Sequence, residues 1–159
     1  MPLTPLTAAE YNTEGGRGNS VDQPGGQLQM AHGTWTSTVA GVGEASVIKL
    51  PAGKIRVHSA LSSLLTGNLS LAGADLHIGY AAYTGSDQVA VVADENAFLD
   101  NADLGGAALS GAWLLPAVTT AIYTEFNSES GIDITITIDT ANASIGETVQ
   151  LVCAYTVVS

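Results

Sequence analysis

The sequence predicts an all-β protein, a single jelly-roll-like antiparallel β-sandwich or barrel with an extended N-terminal arm. Three observations support this fold class. The segment 132–139 alternates isoleucine with Asp or Thr, which is the period of a strand with one buried face and one solvent face. Seven or eight strand-like segments follow one another with no alternating helices between them. The chain has 159 residues, which suits one domain better than two sizeable cores.

The first 46 residues differ from the rest of the chain. They contain three of the five prolines and the stretch GGRGNSVDQPGG at 15–26, with few large apolar side chains to offset the entropy of ordering. We therefore predict an arm over 1–46 and a β-sandwich body over 47–159. The arm is either floppy in the isolated subunit or extended against a partner. Its candidate partner contacts are Leu3, Leu6, Tyr11, Arg17, Leu28, Met30 and Trp35.

The body is expected to open with a hairpin. Segments 47–50 and 55–61 flank the turn 50–53, in which Pro51 and Gly53 occupy positions that suit a type I turn. In the second arm of the hairpin, alternation places one set of side chains on a shared face, Ile55, Val57 and Leu61. A third strand is predicted over 75–84, with Leu76, Ile78 and Tyr80 inward and Asp75 and His77 outward.

The middle of the chain has weaker patterns. A short apolar run covers 88–93, and the acidic stretch DENAFLDNAD at 94–103 predicts one or two helical turns capped by Asp94. A strand kinked at Pro116 is predicted over 107–118, and another strand over 121–126.

The last predicted strand, 149–158, is apolar on both faces. An antiparallel strand of this kind is covered on both sides, here by the arm, a loop or a neighbouring subunit. Because the inner face is already defined by the alternation, the second face supplies the candidate subunit interface, Val152, Ala154 and Val158.

Charge distinguishes the start of the chain from the remainder. The formal net charge is −11, yet all four cations precede residue 57, whereas 57–159 hold eleven acids and no Lys or Arg. A body without cations cannot neutralise phosphates, so we expect no nucleic-acid partner.

No run of 18 apolar residues predicts a membrane span, and the N-terminus lacks the pattern of a signal peptide. The single cysteine, Cys153, fits a reducing cytoplasm.

The sequence lacks the motifs of an enzyme. It has no phosphate-binding loop, no G-x-S-x-G and no H-E-x-x-H. A zinc site would have to draw Cys153 away from its apolar strand face to join His32, His58 and His77. We therefore expect no catalytic residue and no cofactor.

The acidic stretch could in principle ligate calcium through Asp94, Glu95, Asp100 and Asp103, because calcium takes six to eight oxygen ligands. The spacing does not match an EF-hand loop, and capping by Asp94 with a solvated acidic face accounts for the residues more simply. We therefore expect no metal site here.

Three segments resemble tailed-phage virion proteins: VIKLPAGKIRV at 47–57, DLHIGYAAYT at 75–84 and DENAFLDNADL at 94–104. The resemblance is to head decoration, or cement, proteins, which bind the outside of a capsid as small β-rich modules. It implies a non-enzymatic virion protein on the capsid surface, made in the host cytoplasm, with the major capsid protein as partner. A symmetric closed oligomer, here a homotrimer at a threefold position, would present several arms at once. The first hairpin then adds the cationic capsid contacts Lys49, Lys54 and Arg56.

Two alternatives remain. Within the virion class, the chain could be a head-fibre base or a tail component. In another class, it could be a small carbohydrate-binding module in which an aromatic ring stacks on sugar, from the candidates Trp35, Trp113 and Tyr83. Packing in the core explains each of these rings more simply.

Overall fold

In a computed structural model, the protein is described over residues 27–37, 41–66, 70–105, 110–112, 123–143 and 146–158. These residues contain twelve strands and one 3-10 turn, Ser59–Leu61. The strands are β1 Leu28–Thr36, β2 Gly41–Leu50, β3 Gly53–Val57, β4 Ser63–Thr66, β5 Ser70–Tyr80, β6 Tyr83–Thr84, β7 Ala90–Val91, β8 Asp94–Gly105, β9 Ser110–Ala112, β10 Thr124–Ser128, β11 Ile132–Ala143 and β12 Thr148–Val158.

The strands form two antiparallel sheets and one short hairpin. In the large sheet, β1 pairs with one edge of β12, while β3 and β4 lie end to end along the other edge. Strand β10 extends the sheet beside β3, and β9 extends it beside β4. The small sheet has the order β2-β11-β5-β8, and β6 pairs with β7. The chain is therefore an all-β antiparallel sandwich, which confirms that part of the predicted fold class, while the jelly-roll topology stays a prediction.

The core lies between the inner faces of the two sheets. The small sheet contributes the alternating isoleucines of β11, all at most 2% exposed, and the large sheet contributes the β-branched residues of β3 and the inward residues of β12. The predicted buried isoleucine face is thus confirmed. The second face of β11 was predicted to face solvent, but Thr135 and Thr137 on that face are also buried.

Four aromatic rings form a cluster in one region of the core. Tyr80, Tyr83, Phe98 and Phe126 pack edge-on or tilted, with ring centroids 5.1 to 6.4 Å apart. Such edge-to-face pairs add to the stabilisation from apolar burial. Because Phe126 belongs to the large sheet and Phe98 to the small sheet, the cluster joins the two sheets.

The predicted hairpin at 47–61 is wrong. Strand β2 pairs with β11 in the small sheet, whereas β3 pairs with β10 and β12 in the large sheet. The turn after Leu50 therefore carries the chain from one sheet to the other, and Leu50 and Ile55 both reach the core. Burial against opposite inner faces favours this crossing over local pairing. Leu61 lies in the 3-10 turn and is exposed, contrary to the prediction.

The predicted helical turns at 94–103 are also wrong, since this stretch is strand β8. It pairs with β5 through several register shifts, which place Leu99 opposite Ile78 and Ala102 opposite Leu76. Such bulges allow a strand without strict alternation to keep its partner. The side chain of Asp94 accepts a hydrogen bond from the backbone N–H of Asn96 instead of capping a helix.

Strand pairing begins earlier than residue 47. Strand β1 pairs with β12 from Leu28 opposite Thr156 to Thr36 opposite Thr148, and β2 begins at Gly41. The described residues of the predicted arm, 27–37 and 41–46, are thus largely strand. Gly33 permits this arrangement, because a β-carbon there would overlap the carbonyl oxygen of Val47. The arm itself remains a prediction for residues 1–26, which lie outside the described residues.

Candidate interaction surface

The register of the large sheet determines which side chains point away from the core. Antiparallel partners share a face, so Leu28 and Met30 of β1 lie on the same side as Thr156 and Ala154 of β12. We call this solvent side of the large sheet the outer face. The strands β3 and β4 contribute Lys54, Arg56, Ser63 and Leu65 to it.

The outer face carries an apolar strip. Leu28, Met30 and Leu65 are each 51% exposed, and Val152 and Val158 of β12, the strand between β1 and the β3 and β4 edge, are half-buried. Single exposed apolar side chains are ordinary on protein surfaces, whereas several on one sheet face indicate a contact area.

One corner of the outer face is cationic. Lys54 Nζ lies 2.9 Å from Glu125 Oε1, and Arg56 Nε lies 3.0 Å from Glu125 Oε2. The guanidinium of Arg56 also lies 4.7 Å from the centre of the Tyr123 ring. Hydrogen bonds from Lys54 and then Arg56 hold the pKa of Glu125 below its ordinary value. Two cations thus share one carboxylate, and this corner keeps a net positive charge.

Residues 58–62 form hydrogen bonds with Ala154 of β12. The backbone N–H of His58 donates to the carbonyl oxygen of Ala154, and the N–H of Ala154 donates to Ser62 Oγ at 2.9 Å. Ala154 is fully buried. Residues 58–62 therefore lie along the edge of β12 at Ala154, and the cover of the outer face of β12 stays a prediction.

The structure brings together several residues that the sequence assigned to two different interfaces. Leu28, Met30, Lys54 and Arg56, predicted as capsid contacts, share the outer face with two of the predicted subunit contacts, Val152 and Val158. Ala154, the third predicted subunit contact, has no exposed surface. The roles of these residues remain predictions.

Other predicted contacts lie elsewhere. Trp35 points into the core and is 9% exposed. Lys49 belongs to the small sheet, where its Nζ lies 3.2 Å from Asp133 Oδ2. The remaining predicted contacts, Leu3, Leu6, Tyr11 and Arg17, lie outside the described residues.

The solvent side of the small sheet is acidic. It carries the carboxylates of Glu44, Asp75, Asp100, Asp133 and Asp139, with Lys49 as the cation among its described residues. His77 lies on this side of the sheet, as its outward position in the predicted strand requires, but it is buried and not solvated. Its Nδ1 lies 3.1 Å from Asp100 Oδ1 and its Nε2 lies 3.3 Å from Asp139 Oδ2, so the imidazole links β5, β8 and β11.

His77 and Cys153 lie in different surroundings. Each ring nitrogen of His77 lies beside a carboxylate. Burial raises the pKa of Cys153 to about 12, which keeps it a neutral thiol, although a hydrogen bond with Ser62 acts in the opposite direction.

The fold keeps the candidate zinc ligands apart from one another. His32 and His58 lie on the outer face of the large sheet, His77 lies on the small sheet, and Cys153 lies in the core. Within the part of the chain that the structure describes, no three His, Cys, Asp or Glu side chains are placed to hold a metal ion. The same described residues contain no helix long and apolar enough to cross a membrane.

The sugar-stacking candidates are also accounted for by packing where they are described. Trp35 is buried in the core, and Tyr83 packs edge-on against Tyr80 and Phe126. Trp113 lies outside the described ranges.

Sequence reasoning missed Glu125, Tyr123 and Leu65. Glu125 lies 69 residues from Arg56 along the chain, and only the pairing of β10 with β3 brings them together. Leu65 lies between the buried residues Leu64 and Thr66 of a strand. This alternation is the local signal that could have identified Leu65 as exposed.

Solved structures share this fold. A chain in the capsid of Ralstonia phage GP4 matches with a TM-score of 0.59 and 13% identity, over 87% of this chain and 88% of that one. A chain in the capsid asymmetric unit of cyanophage Pam1 matches with a TM-score of 0.51 and 17% identity, over 99% of both chains. A chain in the acid-stable capsid of Helicobacter pylori bacteriophage KHP30 has a TM-score of 0.48 and 16% identity, over 83% of this chain and 89% of that one. No protein-family model matches the chain, and no curated protein matches it significantly in sequence.

Proposed function

We propose that the chain is a non-enzymatic virion structural protein that decorates the outside of a phage head and stabilises it. The observation that carries this proposal is the fold shared, almost end to end, with chains of similar length in the capsids of phages GP4 and Pam1. A match over nearly the whole of both chains means that the likeness concerns the complete module and not a common substructure.

The segments that resemble phage decoration proteins have structural roles in the fold, and this supports the same proposal. Residues 50–53 carry the chain between the two sheets, and residues 94–104 form most of β8. Gly79 lies where the end of β5 approaches β8, so closely that a β-carbon would overlap the Asp94 carbonyl oxygen. These motif residues therefore direct the chain between the sheets and allow the strands to pack. This is what we expect of a family whose members share a fold and no catalytic reaction.

The partner in this proposal is the major capsid protein, and the assembled form is a homotrimer at a symmetric position of the shell. Repetition of a modest contact over many sites gives avidity without requiring a large interface in each copy. The acidic solvent side of the small sheet would then face outward and repel free nucleic acid.

The test is binding of the purified protein to heads of the phage that encodes it, prepared without the protein. We expect co-sedimentation with expanded heads, weaker binding to unexpanded procapsids, and a higher disruption temperature of the decorated heads. Native mass measurement on the free protein tests the trimer. Binding to isolated tails with none to heads would contradict the proposal in favour of a tail component.

A further inference from the structure

We propose that the outer face of the large sheet is the docking surface, and that its occupant is a capsid-shell surface with carboxylates beside exposed apolar side chains. This inference rests on the proposed function and specifies its contact. It joins two groups of residues: the apolar strip of Leu28, Met30, Leu65, Val152 and Val158, and the cationic corner of Lys54 and Arg56.

The two solvent sides of the sandwich differ in charge. Among the described residues, the outer face of the large sheet carries two cations and one acid, Glu125, which already contacts both of them. The opposite side of the sandwich carries Lys49 among several carboxylates, which include Asp75, Asp133 and Asp139. In a chain with a formal net charge of −11, a locally cationic area is the part that an acidic partner approaches with least repulsion.

The apolar strip supplies the other part of the contact. Leu28 and Met30 lie two residues apart on β1, across from Thr156 and Ala154, and each keeps about half of its surface exposed. Covering such side chains removes apolar surface from water, which favours association. The cations therefore orient the partner, and the strip contributes to retention once contact is made.

A second copy is a poorer occupant of this face. If two copies met with their outer faces together, the described part of each face would offer Glu125 as its carboxylate, and Glu125 is already held by Lys54 and Arg56. If the acidic side of one copy met the outer face of the next, the contact would be head-to-tail. It would also cover the acidic side of the small sheet, which the proposed arrangement on the head leaves facing outward.

The size of the face agrees with repeated docking on a shell. With strands about 5 Å apart and about 3.4 Å per residue, four strands and eight residues of β12 cover on the order of 500 Å². A standard stable interface buries about 800 Å² on each partner. A single copy should therefore bind weakly, and the repeated lattice of a shell provides the multivalency that this face needs.

The experiment compares matched surface variants of the full chain for binding to undecorated heads. Two variants alter the outer face: Lys54→Glu with Arg56→Glu, and Leu28→Ser with Met30→Ser. The charge control is Lys49→Glu on the opposite side of the sandwich. The apolar control is Val89→Ser with Val92→Ser, next to β7, where the side chains are 57% and 80% exposed. Thermal melting of each variant confirms that it is folded.

We expect each outer-face variant to weaken head binding by about tenfold or more, because substitutions at a central contact change Kd on that scale, while both controls bind like wild type. Added salt should weaken wild-type binding more than that of the Lys54 and Arg56 variant.

If wild type binds heads and both folded outer-face variants bind equally well, the inference is wrong and the proposed function stands. If wild type binds no heads, the proposed function is wrong. If the outer-face variants lose self-association but keep head binding, the face joins copies, which also contradicts the inference.

Discussion

The backbone of β8 passes so close to Gly79 that a β-carbon at that position would overlap the carbonyl oxygen of Asp94. The next nearest atoms are also backbone, those of Glu95, so no flexible side chain can move aside. Gly79 therefore marks a point where two paired strands of the small sheet can approach only in the absence of a side chain.

Gly79→Ala should lower the free energy of unfolding by about 3 kcal/mol or more, since overlap between backbones must be relieved by moving a strand. The comparison is Gly53→Ala, where the site is open but φ is +101°, a conformation unfavourable to alanine. That change should cost about 1–2 kcal/mol from strain alone. Urea unfolding of both variants measures the difference. Equal stability of Gly79→Ala and wild type would contradict the close approach of β8.

Truncation of Ile136 should test the core. Its side chain is 1% exposed between the two sheets, so Ile136→Ala should lower the free energy of unfolding by about 2–5 kcal/mol. Ile134→Asp should leave the protein unfolded, because the carboxylate would be buried without a partner. Val92→Ala, at an 80% exposed position, serves as the control and should change stability by less than about 0.5 kcal/mol. A soluble, folded Ile134→Asp protein would overturn the assignment of this face.

The pKa of Glu125 should be measurably lower than its ordinary value of 4.5, because Lys54 and Arg56 hydrogen-bond to the ionised form. A lowered pKa in the folded state stabilises the protein above pH 4.5, and this contribution is lost as the pH falls below that value through the folded-state pKa. Titration of the Glu125 carboxyl carbon by NMR measures it. In the variant Lys54→Ala with Arg56→Ala the pKa should return towards 4.5, and an unchanged pKa would show that the ion pairs do not form in solution.

Cys153 should be unreactive in the native protein. Its pKa is raised by burial from 9.0 to about 12, so it stays a neutral, inaccessible thiol at pH 8. A thiol reagent should modify it only after unfolding. Since the unfolded thiol ionises more readily, stability should decline as the pH rises above about 9 towards 12. Rapid modification at pH 8 without loss of structure would contradict the burial of Cys153.

The parts of the fold that the sequence predicted correctly are those governed by local alternation. The isoleucines of β11 and the inward residues of β12 are buried as their period indicated. The failures arose where partners are distant in the chain. No local signal reveals that β3 pairs with β12 instead of β2, because both arrangements satisfy the same backbone groups. In 94–103, pairing with β5 and burial of Phe98 outweighed the helix-capping signal of Asp94.

The candidate surface was predictable by residue type but not by arrangement. The sequence singled out Leu28, Met30, Lys54 and Arg56, yet it attached the first two to an arm and the others to a hairpin. Their common position depends on β12, which pairs with β1 on one edge and β3 on the other. Ala154 and Trp35 show the limit of residue type as a guide, because an apolar residue assigned to a contact surface can equally belong to the core.

The central position of β12 has a consequence for the order of folding. Leu28 near the start of the described chain pairs with Thr156, almost at its end, and the strands β3 and β4 depend on the same partner. During synthesis on the ribosome the large sheet cannot assemble until β12 has emerged, whereas β2, β5, β8 and β11 of the small sheet are complete earlier. Pairing across such a long stretch of chain is slow, since much of the chain must be ordered before contact is made. The outer face thus forms last, and a nascent or truncated chain lacks a finished docking surface.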